Sequence, residues 1–355
     1  MMHRVAIVGC GRIAPAHLEG LKLLPERATT VAICDVNEEL RSERQEAYNV
    51  KMGFGSVEEL LGWGEFDIAA VLTPPEVRAD ICMPILRAKK HMLVEKPFNH
   101  SLEEAQHIVK AAEDAGVTLA VNQNFRWIPP APRLRERILD GALGRVLSVT
   151  LVDTVWRDES RGWRNKTDKL ALSVMGVHWL DRIRWITGEE GVCVYTSSLI
   201  SGILTSAGED VTSTVITLRS GAVATLVHHW ASRSRGANNS LQVDGTDGSV
   251  IWRGGELIWT GENGEHSTSS HSATRETKEH LEQGKMPEYM AASWTELLDA
   301  IDKGRLPHHN GRDNLWTAAL LEGAYRSAEE NRVVKIDVGG IYHGENCCYS
   351  GNYGY

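Results

Sequence analysis

The chain has 355 residues, enough for two domains with sizeable cores, and its 42% apolar and 24% charged residues suit a globular fold. A net charge of −9 excludes general nucleic-acid binding, which needs a basic face. No apolar run is long enough to span a membrane, and "MMHRVAIVG" enters a strand without a signal peptide, which predicts a cytoplasmic protein.

The first third alternates strand and helix. "RVAIVG" (4–9) is a β-branched run closed by glycine, and a helical segment with Leu18, Leu21 and Leu24 follows. "TTVAICD" (29–35), "FDIAAVLTPP" (66–75), "KHMLVEKP" (90–97) and "VTLAVNQNF" (117–125) are further strands, with helical stretches between them. The clearest helix is 101–116, where Ser101 and Glu104 form a capping box and Gly116 is the terminator. Strands apolar on both faces and separated by helices predict a parallel sheet covered on both sides.

The first turn reads Gly9-Cys10-Gly11-Arg12-Ile13-Ala14. Gly9 allows a tight turn, Gly11 allows a pyrophosphate to approach the backbone, and Ala14 allows close packing of helix on sheet. Arg12 and Ile13 open the helix whose free N–H groups would face the phosphates. Asp35, closing the second strand, suits the adenosine ribose hydroxyls and repels a 2′-phosphate. This favours NAD, with NADP open if Arg12 or Arg41 folds in. Ligands of such sheets bind at the carboxyl ends of the strands. Thr73, Pro74, Glu95, Lys96 and Asn124 all fall there, so Glu95 and Lys96 are expected to project into a cofactor cleft.

From about residue 145 the pattern changes. Strands are predicted at 145–156, 191–200, 211–218, 222–231, 239–245 and 248–254, several joined by short turns, which implies an antiparallel sheet and an α+β domain. A helix is predicted at 173–188, with His178, Asp181, Arg182 and Trp185 on one face. It follows a polar loop containing Trp163 and Arg164. Ten of the eleven tryptophans lie at or beyond residue 127, where core and interface roles are commoner than sugar stacking. The six cysteines make no CxxC or zinc-type spacing, so they read as reduced thiols and no metal site is assigned. Cys347 and Cys348 lie in a polar tail and receive no role.

In order and spacing, "VAIVGCGRIAPAHLEGL", "AICDVN", the stretch from Thr73 to Val117 containing "VEKP", "NQNFRW", "GWR" and "MGVHWLDRIRWITG" resemble the glucose–fructose oxidoreductase / inositol dehydrogenase / rhizopine-catabolism (Gfo/Idh/MocA) family. The resemblance implies a Rossmann domain, placed at 1–124, and a C-terminal domain at 125–355 with a large open-faced, mostly antiparallel sheet. Helix 310–331 is a candidate to pack back on the first domain. It also implies NAD(P)-dependent oxidation or reduction of a secondary alcohol on a sugar, cyclitol or sugar acid, and a homodimer or homotetramer. Lys96 of the Glu95-Lys96-Pro97 motif and His178 would be the catalytic pair. Arg126, Trp163, Arg164 and Asp181 would contact substrate, and Asn124 the cofactor. Two departures stand out: Val174 lies where many members have an aspartate, and Arg78 where many have a histidine. Related chemistries are a redox-neutral lyase or glycosidase that oxidises transiently, and a non-catalytic cofactor sensor.

Overall fold

The structure is a computed structural model that describes residues 1–158, 163–234, 238–254, 256–270 and 286–339. Gly162, Cys347 and Cys348 lie outside the described residues. Two compact units emerge: one is 1–128 with 286–318, the other 129–270 with 319–339. The chain thus changes unit more than once, and a boundary near residue 124 marks only the first crossing.

In the first unit, β1 (His3–Val8), α1 (Ala14–Lys22), β2 (Ala28–Cys34), α2 (Glu38–Tyr48), β3 (Met52–Phe54), α3 (Val57–Trp63), β4 (Ile68–Val71), α4 (Arg78–Arg87), β5 (His91–Val94), α5 (Leu102–Ala115) and β6 (Leu119–Val121) alternate along the chain. The six strands are parallel in the order β3-β2-β1-β4-β5-β6, so the order reverses between β1 and β4. Strands β4 and β6 are buried at every position, as their uninterrupted apolar runs require. Helix α5 is capped as expected at its N-terminus, where Ser101 Oγ accepts the Glu104 N–H, but the reciprocal bond differs. The Ser101 N–H donates to Asn99 Oδ1, and Glu104 Oε2 instead accepts from Asn99 Nδ2.

The second unit begins with α6 (Ala131–Leu139), β7 (Val146–Thr154), α7 (Val177–Thr187) and β8 (Gly191–Leu199). It continues through β9 (Val211–Leu218), β10 (Val223–His229), β11 (Asn238–Gly245), β12 (Gly248–Arg253), β13 (Glu256–Gly261) and β14 (His266–Ser270). After α8 (Pro287–Lys303) and α9 (Gly311–Glu330), β15 (Val334–Lys335) adds a last edge. The nine-stranded order is β14-β13-β12-β11-β7-β10-β9-β8-β15, antiparallel except for the β7–β10 pair. Alternation sets its two faces. Leu151, Leu226, Ile216 and Leu241 are buried on one, where α7 packs against β7 and β10. Tyr195, Val215, Thr225 and Thr150 run side by side on the other, which is largely exposed.

Beyond the predicted elements the structure adds β3, β13, β14, β15, α6 and α8. Of these, α8 has the greatest consequence. It belongs to the first unit and lies along α1, sealing a core that includes Leu18, Leu21, Leu93, Met290, Trp294 and Leu297. The helices meet closely because Gly20 has no side chain: a Cβ there would lie 2.7 Å from Met290 Cβ and 3.0 Å from the Pro287 carbonyl. Helix 311–330 divides between the units, its first eight residues counting with the first. Gly20→Val should push α8 off α1 and cost about 2 kcal/mol. Chemical denaturation checks this, and an unchanged midpoint would show that the two helices tolerate separation.

Candidate functional site

The carboxyl edge of the parallel sheet gathers the first group of expected residues. The turn after β1 places Gly9 at φ +102°, and a Cβ there would press on the Leu72–Thr73 backbone at 3.1–3.2 Å, so only glycine suits. Gly11 instead faces open space, which leaves its backbone approachable. Arg12 is exposed and Ile13 half-buried at the mouth of α1, whose Ala14 is fully buried. After β2, Asp35 braces this turn: Oδ2 accepts the Cys10 N–H at 2.6 Å and Oδ1 the Asn37 N–H at 2.8 Å. Each oxygen keeps a lone pair for a ribose hydroxyl. Arg41 binds the Asp35 carbonyl at 2.8 Å. Burial pushes the Cys10 and Cys34 thiols up to about 12, so neither is a reactive thiolate.

After β4, Thr73 and Pro74 are half-buried, and after β6, Asn124 is buried. Thr73 Oγ1 and Asn124 Nδ2 are buried with no hydrogen-bond partner among the described residues. Buried polar atoms rarely stay unsatisfied, so these two call for a polar ligand. Together with the open Gly11, they make the edge fit a dinucleotide. Gly9 to Ala14 would hold the pyrophosphate, Asp35 the adenosine ribose, and Thr73, Lys96 and Asn124 the nicotinamide half.

The turn after β5 corrects one expectation. Lys96 is half-buried, but Glu95 is 5% exposed and turned inward. Its Oε1 accepts from His17 Nε2 at 2.9 Å and from Asn122 Nδ2 at 2.6 Å, and its Oε2 accepts the Lys96 N–H at 3.1 Å. Burial alone would raise this carboxyl; its interactions, first of all the bond from His17, outweigh it and hold the group below its usual range. The Lys96–Pro97 peptide is cis.

Arg78 finds its explanation here. Its guanidinium is buried and donates to the carbonyls of Thr73, Pro97 and Phe98, the last at 3.1 Å. It therefore ties the turn after β4 to the turn after β5. Burial lowers it to about 10, still cationic at neutral pH. Arg126, expected to reach substrate, is 2% exposed and engaged within its own unit: it donates to the His308 carbonyl at 2.7 Å and to Asp313 at 2.5 Å.

The second group lies on the second unit. His178 is in the first turn of α7, which a π-helical turn, Leu172–Gly176, precedes. Such turns often mark functional positions. His178 is 3% exposed, and Asp181 is buried 3.5 Å from Arg184. Arg182 stacks between Trp179 and Trp252. Val174 is buried with Leu170, Ala171, Leu204 and Trp230, an apolar setting that suits valine rather than a carboxylate. Asp168 is exposed; Lys166 is exposed, and Lys169 lies over the Tyr325 ring. Trp163 and Arg164 form a short 3₁₀ turn, with Arg164 half-buried.

Two carboxylates missed in the sequence hold this segment. Glu209 accepts the Leu170 and Leu172 N–H groups at 2.6 and 2.8 Å and the Tyr325 hydroxyl at 2.9 Å, and its burial raises its pKa. Asp153 accepts from Trp179 Nε1 at 2.8 Å and lies 2.9 Å from His228 Nδ1; His228 Nε2 donates to the Ala171 carbonyl at 3.0 Å. Neither cluster has a motif, because each joins distant strands and helices.

Fold and edge define a dinucleotide-binding oxidoreductase. Residues 3–123 match the NAD-binding Rossmann fold of the oxidoreductase family GFO_IDH_MocA, and residues 135–336 its C-terminal alpha/beta domain. The chain belongs to this family: it is an NAD-dependent oxidoreductase acting on CH–OH groups. It is 25% identical to a D-apiose dehydrogenase of Paraburkholderia graminis, over 93% of this chain and 89% of that one. It is 26% identical to a myo-inositol 2-dehydrogenase of Thermotoga maritima, over 94% and 98%. An oxidoreductase from Agrobacterium radiobacter, solved in complex with NAD+, L-tartaric acid and magnesium, shares the fold with a TM-score of 0.85 at 24% identity, over 95% of this chain and 98% of that one. Among the described residues no helix is long and apolar enough to cross a membrane.

Arg78→Ala should leave three buried carbonyls without a donor, costing about 3 kcal/mol and weakening NAD binding. Denaturation and NAD titration check this; wild-type values for both would refute the tie between the two turns.

Proposed function

We propose that the chain interconverts a secondary alcohol and a ketone on a sugar, cyclitol or sugar acid. The observation that carries this reading is Lys96, set at the ligand edge by a buried, fully engaged Glu95. The names of the dehydrogenase relatives support it, since D-apiose and myo-inositol are polyhydroxylated substrates with secondary alcohols. NAD, when bound, supplies the hydride acceptor. His178 takes the proton of the reacting hydroxyl, and the Lys96 ammonium hydrogen-bonds the developing alkoxide. Val174 leaves proton transfer to these two groups. Trp163 and Arg164 contact the substrate.

A panel of D-apiose, myo-inositol, other sugars and sugar acids with NAD+ should yield NADH with one class. Lys96→Met should lower kcat/KM about 100-fold, with NAD affinity within a few-fold, and His178→Asn should lower kcat by a similar factor. Full turnover in Lys96→Met would remove the reading. A changed substrate mass without NADH would point to redox-neutral chemistry.

The exposed face of the nine-stranded sheet is the proposed surface for a homodimer or homotetramer. Val215→Asp, in mid-face beside Tyr195 and Thr225, should shift sedimentation toward the monomer. A wild-type chain that sediments as a monomer would contradict this.

A further inference from the structure

We propose that Trp294, His17 and Glu95 form a directional hydrogen-bond relay that positions Lys96, making α8 part of the catalytic apparatus. This rests on the reading of Lys96 given above. The direction follows from donor chemistry. An indole N–H can only donate, and Trp294 Nε1 lies 3.2 Å from His17 Nδ1, so Nδ1 carries the lone pair. The imidazole proton is then on Nε2, which donates to Glu95 Oε1 at 2.9 Å. Asn122 Nδ2 donates to the same oxygen, and its contact with Met290 Sδ at 3.1 Å brings α8 in a second time. Glu95 passes the constraint on through Oε2, which accepts the Lys96 N–H. His17 and Trp294 lie 277 residues apart in sequence.

Every member is buried: His17, Asn122 and Trp294 are 0% exposed and Glu95 5%. Leu18, Leu21, Leu93 and Met290 of the surrounding core are apolar, so a leucine at 17 would suit the packing, and its cost would fall on Trp294 Nε1 and Glu95 Oε1, which would each lose a bond. Buried charged networks are poor sources of stability, since desolvation offsets their attraction. What they supply is a fixed geometry, because each low-dielectric bond is strong and a missing partner is costly. Here the fixed object is a carboxylate joined directly to the peptide of Lys96. His17, Trp294 and Glu95 are therefore positioning residues.

The test combines amide hydrogen exchange at Lys96 with turnover of D-apiose or myo-inositol and NAD+. His17→Leu removes both relay bonds. It should speed Lys96 amide exchange at least tenfold and lower kcat about tenfold, with substrate KM within threefold. His17→Gln keeps one donor and one acceptor and should recover most of both. Trp294→Phe keeps the ring and loses only the N–H; it should give the same changes in smaller size, which covers the case that His17→Leu does not fold. Wild-type exchange and kcat in Trp294→Phe and His17→Leu, with only a lowered melting temperature, would overturn the relay. Loss of kcat in Leu and Gln variants alike would also overturn it, since the bonds would then not be the cause. Full turnover in Lys96→Met would instead overturn the reading of Lys96, while slow Lys96 exchange in the wild type and fast exchange in His17→Leu would still uphold the relay as a structural constraint on that residue.

Discussion

A carboxylate deprived of water must find its donors in the protein, and Glu95 meets that demand from three places in the first unit, with a fourth behind them. Helix α1 provides His17, the residue after β6 provides Asn122, the following peptide provides the Lys96 N–H, and α8 supports the first two through Trp294 and Met290. None of these can shift without leaving a buried polar atom without its partner, which costs on the order of 1–3 kcal/mol. The constraint therefore couples the position of α1, and with it the glycine turn at its start, to the position of the lysine. Arg78 adds a second brace between the turns after β4 and β5. The edge is braced around Glu95 and Arg78, faces open space at Gly11, and keeps buried polar atoms without a partner among the described residues at Thr73 and Asn124.

The second unit solves a similar problem differently. The segment before His178 leaves regular α-helix for a π turn, and its backbone is held by partners outside the helix. Glu209 takes two of its N–H groups, Tyr325 takes that of Ser173, and His228 donates to the Ala171 carbonyl from beside Asp153. Burial alone would raise the Asp153 carboxyl, but bonds from His228, Asn239 and Trp179 bring it below its usual range. The loss of a carboxylate at Val174 is thus not an isolated gap. The side chain faces an apolar cluster, and the nearby carboxylates are occupied with backbone support.

Local signals made much of this legible. Periodicity marks the alternating first third and most of the second sheet, because each strand there carries its own apolar pattern. The glycine turn and Asp35 stand out in the sequence because a strand–turn–helix unit of this kind carries fixed residue types at fixed places, and Lys96 because a charged residue closes an apolar strand. What escaped was held by tertiary contact. Helix α8 lacks a side-chain N-cap, and its importance lies in Trp294 and Met290 reaching His17 and Asn122, 277 and 168 residues away in sequence. Glu95 reads as a ligand-facing acid because it follows a strand, yet its partner His17 is visible only in three dimensions. Arg126 likewise follows the last parallel strand but is taken by Asp313 and the His308 carbonyl.

The proposed reaction moves a hydride from a secondary alcohol carbon to NAD. The most direct test is to incubate it with NAD+ and polyols deuterated at their carbinol carbons, then weigh the nucleotide by mass spectrometry. Transfer predicts reduced nucleotide one deuterium heavier than that formed from the unlabelled polyol. Product formation from the polyol with no deuterium in the nucleotide pool, or with the label exchanged to solvent, would contradict it.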